Sequence, residues 1–298
     1  MVVYYADTYT VPLPEGHKFP MQKYRLLRDY LLAENILREE ELRLPVLASR
    51  SELELVHTPE YVDAFVSGTL DPRIVRRIGI PWSEAFVQRT LASTGGTIGA
   101  ARIALRDGFA GNLAGGTHHA FAAAGEGFCV FNDIAVALSL LLQENSIRRA
   151  AVIDLDVHQG NGTADIFTGR TDIYTLSLHG KNNYPFVKIP STRDVPLPDH
   201  CGDEEYLETL QGEFAALREF RPDILFYQGG VDVLRADTLG RLDLSHEGVM
   251  ERDRLVCELA LWLGVPLVAT LGGGYAQPIE ESVRAHAGSY RVFRHYFS

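Results

Sequence analysis

Apolar positions follow two patterns along this chain. Short β-branched runs alternate with longer stretches in which apolar residues recur every three to four positions. The short runs predict strands at Val2–Tyr5, Asn112–Ala114, Ala150–Asp154, Ile173–Leu178, Ile224–Gln228 and Leu267–Leu271. The longer ones predict helices at Gln22–Asn35, Pro59–Ser67, Glu84–Arg106, Asp133–Glu144, Asn161–Phe167, Glu204–Phe220, His246–Leu263 and Glu280–Tyr296. Strand and helix alternate with short connections. That order implies an α/β fold, a mostly parallel sheet with helices on both faces. The Pro-rich stretch Tyr184–Asp199 reads as an excursion from the core, and no internal repeat or long linker divides the chain.

Composition narrows the picture. At 298 residues and 46% apolar content, the chain suits one large domain over residues 1–298. The formal net charge of −11 disfavours a nucleic-acid partner, which needs clustered Lys and Arg. It suits cationic partners such as lysine-rich peptides or polyamines, although it also serves solubility alone. Three scattered cysteines, Cys129, Cys201 and Cys257, form no CxxC and no disulfide framework. No apolar run reaches the roughly 20 residues that span a bilayer, and the opening residues lack a basic-then-apolar leader. A cytoplasmic protein with no membrane partner is expected.

The chemistry gathers after the strands. In open α/β sheets, ligands bind beyond the carboxyl ends of the strands. Gly115-Gly116-Thr117-His118-His119 follows one strand, and Asp156 and His158 another. His179, Gly229-Gly230-Val231-Asp232 and Gly272-Gly273-Gly274-Tyr275 follow three more. Alternate residues of an extended segment share a side, so Asp154, Asp156 and His158 can face one point. Two carboxylates that close repel unless a cation sits between them. With Asp232 the set becomes O,N,O with an open position, which suits catalytic zinc, and iron(II) or another divalent ion binds the same donors. Without the distal Asp, the motif reads equally well as a polar turn capping the next helix.

His118 and His119 become acid–base candidates if they share that rim, and surface loop residues if they do not. Asp154 and Asn161 are available to orient them. The triple glycine, with Gly273 at its centre, lets the backbone pass close to a ligand. Tyr275 can then donate to a developing oxyanion, or simply fill the core. No Lys-Ser/Thr follows the glycines, so a P-loop is not supported.

These motifs together resemble a known family. GTHHA at Gly116–Ala120, GEGFCVFND at Gly125–Asp133, DLDVHQGNG at Asp154–Gly162, GGVD at Gly229–Asp232 and LGGGY at Leu271–Tyr275 are similar to the successive motifs of histone-deacetylase-like amidohydrolases. Asn161 in the HQGNG form and the N-terminal stretch Leu13–Tyr24 most resemble the class IV branch and its bacterial relatives. The resemblance implies the arginase–deacetylase fold, an eight-stranded sheet between helices. It implies zinc at Asp156, His158 and Asp232, with His118 paired to Asp154 and His119 to Asn161. Phe128 and Tyr184 would line a tunnel for an acyl-lysine stem, and the Gly127 carbonyl would accept the substrate amide N–H. A structural potassium ion would lie at Asp154, Asp156, His158, Ser177 and Leu178. The implied reaction is hydrolysis of an N-acyl amide, acetyl or longer, on a lysine side chain or related amine. His119 serves as general base and Tyr275 as oxyanion donor.

Other readings remain at this stage. An acetylpolyamine or another small acyl amide fits the same apparatus. A two-manganese ureohydrolase of this fold would need further carboxylates where Gly160 and Leu234 stand. A non-catalytic acyl-lysine-binding module would be expected to have lost the ligands, the histidine pair or Tyr275.

Overall fold

The computed structural model describes residues 1–298. Its centre is one sheet of eight strands: β1 (Val2–Tyr4), β2 (Leu42–Arg43), β3 (Phe109–Asn112), β4 (Ala150–Asp154), β5 (Ile173–Gly180), β6 (Arg193–Leu197), β7 (Ile224–Gln228) and β8 (Leu267–Thr270). They lie in the order β2-β1-β3-β8-β7-β4-β5-β6, and every pair is parallel. All residues of β3, β4, β7 and β8 are buried, so both faces of the sheet's centre are covered.

Ten helices provide that cover: α1 (Lys23–Ala33), α2 (Arg50–Leu53), α3 (Pro59–Val66), α4 (Pro72–Ile78), α5 (Glu84–Asp107), α6 (Asp133–Gln143), α7 (Asn161–Ile166), α8 (Asp203–Phe220), α9 (His246–Leu263) and α10 (Glu280–Phe297). They pack as two groups, α5 against α6, and α1, α10, α9 and α8 in series. One continuous apolar cluster runs through the molecule. No helix is long and apolar enough to cross a membrane.

Five features differ from the pattern-based expectation, and two of them, the two-residue strand β2 and the four-residue helix α2, are too short to leave a periodic pattern. The strand expected at Asn112–Ala114 lies at Phe109–Asn112. Its centre is Ala110-Gly111, too small to register as an apolar run, and an added Cβ on Gly111 would stand 2.8 Å from the Tyr290 hydroxyl. The excursion Tyr184–Asp199 contains the edge strand β6, whose Pro196 is tolerated because an edge strand leaves one row of N–H groups unpaired. Helix α4 was also missed, although Asp71 caps it, Pro72 opens it and Gly79 closes it at φ 77°.

The topology explains the site's position. Strands β3, β8, β7 and β4 are adjacent, and the segments that leave their carboxyl ends carry His118–His119, Gly272–Tyr275, Asp232 and Asp156–His158. Four neighbouring strands therefore deliver the chemistry to one rim.

Candidate metal centre and acid–base site

Asp156, His158 and Asp232 form the one group of side chains able to hold a metal, with a ligand atom of each within 4.8 Å of the others. His158 Nδ1 lies 2.9 Å from Asp156 Oδ1 and 3.1 Å from Asp232 Oδ2. The other carboxylate oxygens are already engaged. Asp156 Oδ2 accepts from Gln228 Nε2 at 2.9 Å and from the Gly273 amide at 2.8 Å. Asp232 Oδ1 accepts from the Val157 amide at 3.0 Å. Asp156 Oδ1, which also accepts the His158 amide at 3.0 Å, Asp232 Oδ2 and one imidazole nitrogen thus converge. Burial and the neighbouring Asp156 carboxylate raise the Asp232 pKa. This O,N,O donor set fits a divalent metal with an open coordination position.

The glycines have specific work here. A Cβ on Gly273 would collide with the Asp232 carboxylate, so only glycine lets this backbone reach both acidic ligands. Gly273 was expected to approach a substrate. It borders the inner cavity, and its amide holds Asp156.

The histidine pair stands beside this group. His118 Nδ1 lies 2.7 Å from Asp154 Oδ2, and His119 Nδ1 lies 2.7 Å from Asn161 Oδ1, so both expected partners are in place. The two environments differ. Burial works against a charged His118, but Asp154 and Asp156 outweigh it and raise its pKa to about 9. Burial, with the positive charges of His118 and His158, holds His119 well below its ordinary value. The surroundings thus push the two imidazoles in opposite directions, the divergence that acid–base chemistry uses.

Tyr275 faces them. Its ring is 6.5 Å from that of His158, while His119 stands 5.9 Å from His158 on another side. Its backbone is pinned by Asp237, whose Oδ2 accepts the Tyr275 amide at 2.7 Å, and by Thr238, which donates to its carbonyl at 2.8 Å. Burial raises the phenol pKa well above its usual value, so the hydroxyl remains a donor.

A cavity of about 360 Å³ leads outward from His119, His158 and Tyr275, lined by Gly127, Phe128 and Tyr184. Phe128 adopts φ 67° and Gly127 φ 55°, held by amide bonds to the Ile78 and Arg77 carbonyls. That turn sets the Phe128 ring against Phe19, 5.0 Å away, on the tunnel wall. A much smaller space of about 40 Å³ lies inward, bordered by Arg89, Gly115, Gly116, Thr117 and Cys129.

Several contributing residues were not singled out from the sequence. Asp133 accepts from the Gly116 and Thr117 amides at 3.1 and 2.8 Å and so fixes the loop that carries His118. Gln228 bridges Asp156 and Gly230. Asp237 and Glu126 complete the set. Asp133 and Glu126 lie inside a motif already noted, but only folding shows what their carboxylates touch. His179, expected near the rim, is a buried β5 residue whose Nδ1 lies 3.0 Å from Ser177 Oγ. Gly160 offers no donor and Leu234 belongs to the buried core, so a second metal site of the ureohydrolase kind lacks ligands.

Comparison with known proteins identifies the family. Residues 17–289 match the histone deacetylase domain family. The chain is 45% identical over 294 residues to an uncharacterized protein of Picosynechococcus sp., covering 98% of each. It is 31% identical over 300 residues to histone deacetylase 2 of Arabidopsis thaliana, covering 96% of this chain and 77% of the relative. It is 31% identical over 301 residues to the acetoin utilization protein AcuC of Bacillus subtilis, covering 92% and 77%. The crystal structure of the HDA15 HD domain superposes with a TM-score of 0.83 over 98% of this chain and 87% of that one. At 22% identity, that likeness speaks for the fold alone. With the family match spanning nearly all of the sequence, the chain belongs to the histone deacetylase family.

Proposed function

We propose that this protein is a metal-dependent deacylase that hydrolyses the acetyl amide of a lysine side chain. The observation that carries the reading is the convergence of an O,N,O ligand group, a histidine bonded to Asn161 and a partly buried tyrosine at one cavity.

Asp156, His158 and Asp232 would hold a divalent cation, zinc in this reading, which would supply Lewis acidity toward the amide carbonyl and the attacking water. The protein's own groups do the rest. In this reading Phe128 and Tyr184, which line the cavity, flank the aliphatic stem, and the Gly127 carbonyl accepts the amide N–H. His119 takes the proton of the attacking water on Nε2 while Nδ1 stays bonded to Asn161. The Tyr275 hydroxyl donates to the carbonyl oxygen as it becomes an oxyanion. The C–N bond then breaks, His119 returns the proton to the leaving nitrogen, and a carboxylate and an amine result. His118, bonded to Asp154, stands beside the place where negative charge develops.

Two dimensions favour a particular substrate. The inner space, about 40 Å³ against about 360 Å³ for the outer cavity, is small, which favours a short acyl group such as acetyl over a long chain. The class IV resemblance alone would lean slightly toward the longer ones. The charged residues lining the outer mouth are Arg77 and Arg241, paired with Glu126 and Asp199 behind them, and no carboxylate lines the mouth itself. A polyamine needs anions there, so an acyl-lysine peptide fits better. The same reading puts potassium among Asp154, Asp156, His158, Ser177 and Leu178, and β4 and β5 set Asp154 directly opposite Ser177. Acetate release from an acetyl-lysine peptide, compared with acetylpolyamine and long-chain acyl-lysine, tests the proposal. Turnover of acetylpolyamine alone would refute the substrate assignment.

A further inference from the structure

Glu126 has no part in the reaction as written, yet it is buried, 8% exposed, one residue before Gly127. Its Oε1 accepts from Asn161 Nδ2 at 2.7 Å and from the Tyr184 hydroxyl at 2.6 Å, and its Oε2 pairs with Arg77. Burial opposes its charge, but the bonds from Tyr184, Arg77 and Asn161 prevail and hold the carboxyl below its ordinary pKa. Glu126 is therefore an ionised group that only accepts hydrogen bonds.

That property has a consequence for Asn161. A side-chain amide has a donating end and an accepting end and can present either to a neighbour. A carboxylate can bond only the donating NH₂. Asn161 must then turn Nδ2 to Glu126 and Oδ1 to His119, where it lies 2.7 Å from Nδ1. An oxygen at that place requires an N–H on Nδ1. The lone pair of neutral His119 is consequently on Nε2, the ring nitrogen left without a protein partner, and His119 borders both cavities.

We propose that Glu126 is a positioning residue that sets the reactive tautomer of His119 by fixing the orientation of the Asn161 amide. A neutral amide at position 161 could turn over, and a buried carboxylate one bond further out prevents it. This inference rests on the reading of His119 as the general base. It differs from a role in the tunnel wall, where Glu126 would act only through Tyr184.

The test uses zinc-loaded full-length protein labelled with ¹⁵N-histidine, the His119 signals being assigned by their loss in His119→Gln. Wild-type His119 is expected to carry its proton on Nδ1. Glu126→Gln, whose amide can donate as well as accept, is expected to lose that single tautomer. Its kcat on an acetyl-lysine peptide should fall about 10–100-fold, the usual effect of removing an outer partner, with KM and zinc content unchanged. The double variant Asn161→Asp/Glu126→Gln restores an acceptor-only group next to His119 and should recover most of the lost kcat. Tyr184→Phe removes only the tunnel-wall bond and should keep the wild-type tautomer. A wild-type proton on Nε2, an unchanged tautomer in Glu126→Gln, or a loss that persists in the double variant would each overturn the inference. If the tautomer responds as described but the wild type turns over no acyl amide, the inference about Glu126 holds and the functional reading fails.

Discussion

Replacing Tyr275 by Phe removes one oxygen from the centre of the proposed chemistry. The Tyr275 hydroxyl bonds no protein group in the folded chain, so its loss orphans no partner. The ring contacts to Phe19 at 6.2 Å and Phe128 at 6.0 Å survive, as do the main-chain bonds to Asp237 and Thr238. Folding stability should therefore change by less than about 0.5 kcal/mol, the range of substitutions that break no such feature. Catalysis should respond quite differently. An oxyanion donor acts mainly in the transition state, and losing one typically lowers kcat about 10²–10³-fold, or roughly 2.7–4 kcal/mol. Binding of the ground-state amide changes less, so KM should move little. Steady-state deacetylation, thermal unfolding and zinc analysis on Tyr275→Phe give the three numbers needed. A near-normal kcat would remove Tyr275 from the catalytic set. Loss of zinc would show that the site had been misassigned.

Other expectations follow from the same geometry. Asp232→Ala removes one of three ligands and should abolish both stoichiometric metal binding and turnover, as metal analysis and an acetate-release assay would show. Gly273→Ala drives a methyl group into the Asp232 carboxylate and should weaken metal binding in a folded protein, and unimpaired zinc affinity would contradict the packing described. Burial depresses the pKa of His57 and of His179 to about 4, so both stay neutral in the native state while the unfolded chain protonates near 6.5. Their stabilising contribution is present above pH 6.5 and is lost as pH falls toward 4, at up to about 1.4 kcal/mol per pH unit for each histidine. Chemical denaturation from pH 7 to pH 4 measures this, and His57→Leu should flatten the slope if the variant folds.

Much of the fold was legible because burial on both faces gives unbroken apolar runs. Ala150–Asp154, Ile224–Gln228 and His246–Leu263 lie where the sequence pattern puts them. The pattern fails where burial is achieved by small residues or lost at an edge. Strand β3 is Phe-Ala-Gly-Asn, and β6 is half-exposed and contains Pro196. The site divides in a similar way. Asp156, His158, Asp232 and the histidine pair were readable because their spacing places them at strand ends. Glu126, Asp133, Gln228 and Asp237 were not, because each acts through hydrogen bonds to residues distant in sequence. Asn161 was visible as a partner for His119, yet the group that decides which way its amide faces lies 35 positions away.

The central claim is that Asp156, His158 and Asp232 hold the metal on which hydrolysis depends. The most direct measurement is acetate release from an acetyl-lysine peptide by a single preparation in three states: as purified, stripped by a strong chelator, and reloaded with one equivalent of zinc. The account requires that turnover disappear on stripping, with the fold intact by circular dichroism, and return with zinc at one ion per chain. Full turnover by protein verified to be metal-free would contradict it.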